Sequence, residues 1–299
     1  ASSNGADILV CNYKQFSLNL NNNWKIMTDT SDSEYFFIAN WTKYKILQLT
    51  NNAISVNIVD DSYIPQQQDK IIYMGIISEG QNSFIQEPIL RRNITVPNYD
   101  EFITEGYIMG VFNLNSPIYS GYPREEVIIT ARSKPGLLHG AQTLIQMINA
   151  TSNTAIPGLD ILDFPHFAWR EILPDYFAIA SWDPILSPQM YNKLDWLAAQ
   201  KFNYYGCWDE TQMLSLYQRS TSKYYFSIFT NFTKARYTNY IPCIGNLKHH
   251  ETYNIYDPPR HLELTENYYT KNEPFIFNSS GIAMPQYPYI NFLSNGDFE

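Results

Sequence analysis

The chain has 299 residues, 44% of them hydrophobic, with a formal charge of −9 and a pI near 5.0. That length admits two domains or one large one, and the apolar content excludes disorder as a general description. Acidic residues outnumber basic ones and no Lys/Arg cluster stands out, which argues against a nucleic-acid partner; no apolar run reaches the length of a membrane span. Charged residues make up 16% of the chain, whereas tyrosine alone contributes 24 residues and asparagine is abundant. A neutral polar and aromatic surface suits sugars, and a genome biased towards A and T would write the same composition.

The chain opens at Ala1 without a Met or an apolar leader, as a secreted protein after signal removal or a fragment would. Asn-x-Ser/Thr sequons stand at Asn40, Asn93, Asn149, Asn231 and Asn278 and are candidate glycosylation sites. These features point to a secreted, cell-surface or lysosome-like location. The three cysteines, Cys11, Cys207 and Cys243, allow at most one internal bridge, so this is not a disulfide-stapled scaffold. Cys207 and Cys243 fall on what read as neighbouring strands, either as buried thiols or as a bridged pair.

In chain order, Asp7 to Leu20 and Tyr35 to Leu49 read as strands, broken by the Asn21–Asn23 and Asn51-Asn52 turns. Ala53 to Asp60 alternates, with Ile54, Val56 and Ile58 on one face. Lys70 to Gly75 is a short apolar strand. Glu105 to Phe112 and Glu126 to Ala131 form a strand pair joined by a Pro-containing turn. From Lys134 the apolar positions Leu137, Leu138, Ala141, Leu144, Ile145 and Ile148 recur at helical spacing, with Pro135 in the first turn. Strands followed by one covering helix predict an α+β domain over residues 1–160.

Past Asp163 the pattern alternates. Strands are expected at Phe167–Ile172, Phe202–Trp208 and Tyr240–Ile244, with helices at Ser187–Lys201 and Tyr224–Tyr237 between them. This β-α-β-α-β order predicts an incomplete (β/α)8 barrel over residues 161–256, limited to its first three strands. Such a fragment would need another chain, further sequence or a homo-oligomer to cover its open edge. Residues 257–299 read as irregular, and the closing phrase NFLSNGDFE looks like the first strand of a β-sandwich carbohydrate-binding module.

The wording KPGLLHGAQTLIQ followed by DFPHFAWR resembles glycoside hydrolase family 20, the β-N-acetylhexosaminidases, at the junction of their N-terminal α+β domain with a (β/α)8 barrel. EGYIMGVF, EEVIITARSKP, KLDWLAAQKFNYYGCWDE and TKARYTNYIPCIGNLKHH extend the resemblance. It implies a carbohydrate-active protein that hydrolyses terminal N-acetylhexosamine, the sugar's own 2-acetamido oxygen attacking the anomeric carbon with help from an Asp-Glu pair. That pair follows the family's fourth strand and has no counterpart in these residues, so no catalytic residue is assigned. A non-catalytic glycan-binding or structural surface glycoprotein, possible as a filament former, is the alternative.

By the same resemblance Arg170 would close the first strand and grip sugar hydroxyls with its fixed donor fork; the plain alternative is a structural salt bridge with Asp175 or Glu171. Asp209 and Glu210 follow the second strand, where the family places substrate-lining residues, and Trp208 at that strand's C-terminal end is an aromatic candidate for stacking on a sugar face. His249 matches a histidine after the third strand, although Lys248 replaces the expected Gly. Trp196 reads as core, His139 as a packed or exposed histidine outside any site, and His166 as structural. No Gly-rich phosphate loop, zinc-ligand spacing or nucleophile elbow is present, so neither cofactor nor metal is expected and glycans are the expected partners.

Overall fold

The computed structural model describes residues 8–21, 23–77, 84–98, 100–113, 125–172, 188–207, 230–242, 275–277 and 283–285. Two compact units are present. The first comprises Ala1–Arg170, Asp195–Asn203 and Ala235–Tyr237; the second comprises Glu171–Leu194, Tyr204–Lys234 and Thr238–Glu299.

The first unit is organised on a seven-stranded mixed sheet. Its strands are β1 (Ile8–Asn19), β2 (Trp24–Thr28), β3 (Val56–Asp60), β4 (Lys70–Ile76), β5 (Tyr107–Asn113), β6 (Glu125–Ala131) and β7 (Ala155–Asp163). The spatial order is β1-β7-β5-β6-β4-β2-β3. One half is antiparallel, through β1–β7, β7–β5 and β5–β6, and the other half is parallel, through β6–β4, β4–β2 and β2–β3. Parallel neighbours require crossovers. Helix α1 (Ser33–Leu49) links β2 to β3, and α4 (Lys134–Ala150) links β6 to β7; the short α2 (Gln86–Arg91) and α3 (Asp100–Glu105) lie between β4 and β5.

Side chains alternate across the sheet and build two cores. Ile72 and Met74 of β4 and Val127 and Ile129 of β6 join the core beneath α1 and α4, with Ile38, Ile46, Leu137, Leu144 and Ile148. Their neighbours Ile71, Tyr73 and Ile128 point the other way and pack with Ile85, at the N-cap of α2, and Ile89 within it. Each fully buried Ile or Leu contributes about 1.5–3 kcal/mol relative to exposure, so the larger core dominates this unit's stability. Helix α4 lies close to the sheet because Gly136 and Gly140 leave room for it. A Cβ on Gly140 would stand 2.5 Å from Ile129 Cγ2, and one on Gly136 would stand 2.3 Å from the Gly106 carbonyl oxygen.

The structure corrects the expectation of an α+β domain followed by three strands of a barrel. The principal body is the mixed seven-stranded sheet, half of it parallel. Tyr35 to Leu49, expected as a strand, is α1. Asp32 caps it by accepting from the Glu34 and Tyr35 amides at 2.8 and 3.1 Å, and Ile38, Ala39, Trp41, Thr42 and Ile46 are buried at helical spacing. Burial of one helical stripe overrides the β-propensity of the aromatic residues. Asn51 and Asn52 do form a turn, with φ of 50° and 58°, but it is a helix stop. Strand β7, which was not anticipated, runs between β1 and β5 and buries Ile156, Leu159, Ile161 and Asp163.

In the second unit, β8 (Glu171–Ile172), β9 (Tyr204–Cys207) and β10 (Asn239–Pro242) form a parallel sheet of order β10-β9-β8. Helix α5 (Pro188–Ala199), whose residues up to Leu194 belong to this unit and whose residues from Asp195 belong to the first, precedes β9 and buries Leu194, Leu197 and Ala198; residues 230–234 are helical. Strands β11 (Phe275–Phe277) and β12 (Ala283–Pro285) pair antiparallel, within a stretch expected to be irregular. The carbohydrate-module phrase at 291–299 lies outside the described residues, as do the side chains of Cys207 and Cys243. Cys11 is a half-buried free thiol.

Candidate functional site

A cleft of about 190 Å³ opens in the first unit, bordered by the end of α3, the start of β5, α4, the end of β7 with the loop after it, and the turn after α5. Two carboxylates, two cations and two histidines line it together with the rings of Phe164, Phe167 and Phe202.

Arg170 is the residue before β8, at the strand's N-terminal end, so it does not close the strand as expected. Its guanidinium is engaged within the unit. Nε donates to the Lys201 carbonyl at 2.6 Å, one terminal nitrogen donates to the Phe167 carbonyl at 2.6 Å, and the other pairs with Glu105. Its backbone N–H donates to Asn203 Oδ1 at 2.9 Å, while the Asn203 amide donates to Glu105 Oε1 at 3.0 Å and the Ala168 carbonyl at 2.7 Å. Glu105, rather than Glu171, is the ion partner the geometry provides. Both side chains are largely buried, 13% and 17% exposed.

Lys201 reaches Asp163, itself 2% exposed at the end of β7, and also donates to the Tyr107 hydroxyl at 3.2 Å. The Lys201 backbone is left-handed, with φ of 62°, at the helix stop after α5; the Lys201 N–H bonds the Ala198 carbonyl at 2.8 Å and the Phe202 N–H bonds the Leu197 carbonyl at 3.2 Å. Glycine is the usual residue there. A lysine at that position delivers the counter-ion to Asp163. Burial, together with the Asp163 charge, pushes the Tyr107 hydroxyl well above its ordinary range, so it stays protonated and shares a 2.7 Å hydrogen bond with Thr143.

His139 sits in the first turns of α4 and is buried. Burial, reinforced by the Lys201 and Arg170 charges, lowers its pKa to about 3. It is therefore neutral near pH 7 and makes no ion pair with Glu105, whose carboxylate is 3.8 Å away. His139, expected as a packed or an exposed histidine, is packed, and it lines the cleft. His166 is exposed, with its ring edge-on to Phe167 at 5.2 Å. Trp196, read as core, is 55% exposed on α5.

Trp208, Asp209, Glu210 and His249 lie outside the described residues, so Arg170 is the one substrate-lining candidate with described surroundings. Asn40, Asn93, Asn149 and Asn231 are exposed, and Asn278 lies outside the described residues. Glu105, Asp163, Lys201 and Asn203 were not singled out in the sequence. The one available signal was a lysine at a helix stop that would ordinarily take glycine. Among the described residues no group of three His, Cys, Asp or Glu side chains is placed to hold a metal ion, and no helix is long and apolar enough to cross a membrane.

No family model matches the sequence, and no curated protein matches it. Solved structures do. A mutant β-hexosaminidase from Streptomyces plicatus, in complex with its GlcNAc product, matches 93% of this chain and 49% of its own at 14% identity, with a TM-score of 0.55. CpGH84D matches 83% of this chain and 39% of its own at 14% identity and a TM-score of 0.54. The GH20 β-N-acetylhexosaminidase from Streptomyces coelicolor A3(2) matches 93% of this chain and 50% of its own at 17% identity and a TM-score of 0.52. The chain thus spans half the length or less of these proteins. At such identities the likeness is one of fold, distant and shared by GH20 and GH84 proteins, and it does not single out GH20.

Proposed function

We propose that this chain is part of a carbohydrate-active protein that acts on or binds glycans bearing terminal N-acetylhexosamine, outside the cell or on its surface. The supporting observation is the fold likeness to β-hexosaminidases, one of them holding a GlcNAc product, over 93% of the chain. The wording around DFPHFAWR, which resembles family 20, agrees with it. On this reading the catalytic Asp-Glu pair is not among these residues. Assay of the complete polypeptide on a chromogenic N-acetylglucosaminide tests it: turnover that disappears when such a pair is changed supports the enzyme.

A second reading is a non-catalytic glycan-binding or structural protein on the same scaffold. The state of Arg170 favours it, because three of its guanidinium donors are already held by Glu105 and two backbone carbonyls. An arginine so committed positions the chain and has fewer donors left for sugar hydroxyls. Absence of turnover together with saturable binding of N-acetylglucosamine identifies this case.

A further inference from the structure

We propose that Asn93 carries an N-linked glycan, on the sheet face opposite α1 and α4. The inference rests on the proposed secretory route and is independent of any sugar binding by the protein.

An acceptor asparagine must be reached together with the hydroxyl two residues on, in a segment free to bend. The asparagines of the four described sequons are all exposed, so the hydroxyls decide. Thr42 is buried within α1 and donates to the Ile38 carbonyl at 2.8 Å. Thr233 is buried and donates to the Thr230 carbonyl at 3.1 Å. Thr151 is half-buried between the Ile148 and Ala155 carbonyls, at 2.9 and 2.6 Å. Thr95 is exposed and stands outside any helix or strand.

Asn93 ends α2 in a left-handed conformation, φ 53°; its N–H bonds the Leu90 carbonyl at 3.0 Å, and the Ile94 N–H bonds the Ile89 carbonyl at 3.0 Å. The backbone makes this stop and Ile94 anchors it by packing on the second core, which leaves the Asn93 side chain in solvent. Asn51, Asn52 and Asn153 adopt the same left-handed backbone, yet none of them begins a sequon. The stop therefore does not account for Thr95. In the transfer, the Asn93 amide nitrogen bonds to the anomeric carbon of a polyprenyl-diphosphate-linked oligosaccharide. The bond from that carbon to the diphosphate oxygen breaks, the polyprenyl diphosphate leaves, and the amide loses one proton.

The test is glycopeptide mass spectrometry of the complete polypeptide secreted from a eukaryotic host. The Asn93 peptide is expected to be glycosylated and to show the Asn-to-Asp mass change after peptide N-glycanase. Thr95→Ala should abolish that signal while keeping the left-handed asparagine and the fold; Thr95→Ser should retain it. A bare Asn93 in secreted protein overturns the proposal, whether or not other sequons are occupied. Binding of N-acetylglucosamine by the enzymatically deglycosylated protein is read separately, so failure of the carbohydrate reading is distinguishable from failure at Asn93.

Discussion

Arg170 and Glu105, 65 positions apart in sequence, form a largely buried ion pair that ties the end of α3 to the segment entering β8. Asn203 completes the arrangement by bonding both the Glu105 carboxylate and the Arg170 backbone. Breaking such a pair by removing one partner strands the other charge away from water, and the cost of that exceeds the pair's own net value. Arg170→Ala and Glu105→Gln are each expected to lower unfolding free energy by about 2–4 kcal/mol in urea titrations. The double variant should cost less than the sum of the two, by about 1–3 kcal/mol. Strict additivity would show that the two residues act independently.

His139 gives the fold a defined acid sensitivity. Its pKa is lowered to about 3 in the folded protein against about 6.5 when unfolded. The unfolded chain therefore binds more protons between those values, and stability rises with pH across that window. His139 contributes fully above about pH 6.5, and its contribution falls away as pH drops towards 3, by at most about 1.4 kcal/mol per pH unit. Stability measured from pH 7 to pH 4 should fall less steeply in His139→Gln than in the parent. Equal slopes would contradict a buried neutral histidine.

The glycines of α4 set helix-to-sheet distance. Alanine in a helix interior ordinarily gains about 1 kcal/mol over glycine. At Gly136 the added carbon meets a backbone carbonyl that cannot rotate away, whereas at Gly140 it meets the movable Ile129 side chain and the Tyr107 ring. Overpacking costs about 1–3 kcal/mol, so Gly136→Ala should be clearly destabilised, and more so than Gly140→Ala. Thermal unfolding of the two variants orders them.

Lys201 combines a strained backbone with a needed charge. Lys201→Ala and Lys201→Gly both remove the Asp163 counter-ion, but only alanine keeps the left-handed penalty. The glycine variant should be more stable than the alanine variant by about 1 kcal/mol, and both less stable than the parent. A glycine variant more stable than the parent would show that the Asp163 pair contributes less than the left-handed backbone costs.

Elements whose pattern was plain in the sequence came through. The β5–β6 pair and α4 stand within a residue or two of expectation, because the two strands are continuous apolar runs buried on both faces and the apolar residues of α4 recur at three-to-four. Tyr35–Leu49 was misread because aromatic and β-branched residues suggested a strand, while the Asp32 cap and the buried stripe from Ile38 to Ile46 made a helix. Strand β7 was missed since Pro157 and Gly158 read as loop, although β7 pairs with both β1 and β5. The cleft was less legible still. Glu105, Asp163 and Lys201 come from separate elements, the end of α3, the end of β7 and the turn after α5, and only the tertiary fold brings them together.

On the proposed function, this protein handles N-acetylhexosamine glycans. Calorimetric titration of the complete polypeptide with N-acetylglucosamine and chitobiose, with glucose as control, tests it most directly. Saturable heat is expected for the acetamido sugars and none for glucose. No binding to either acetamido sugar, together with no turnover of a chromogenic N-acetylglucosaminide, would contradict it.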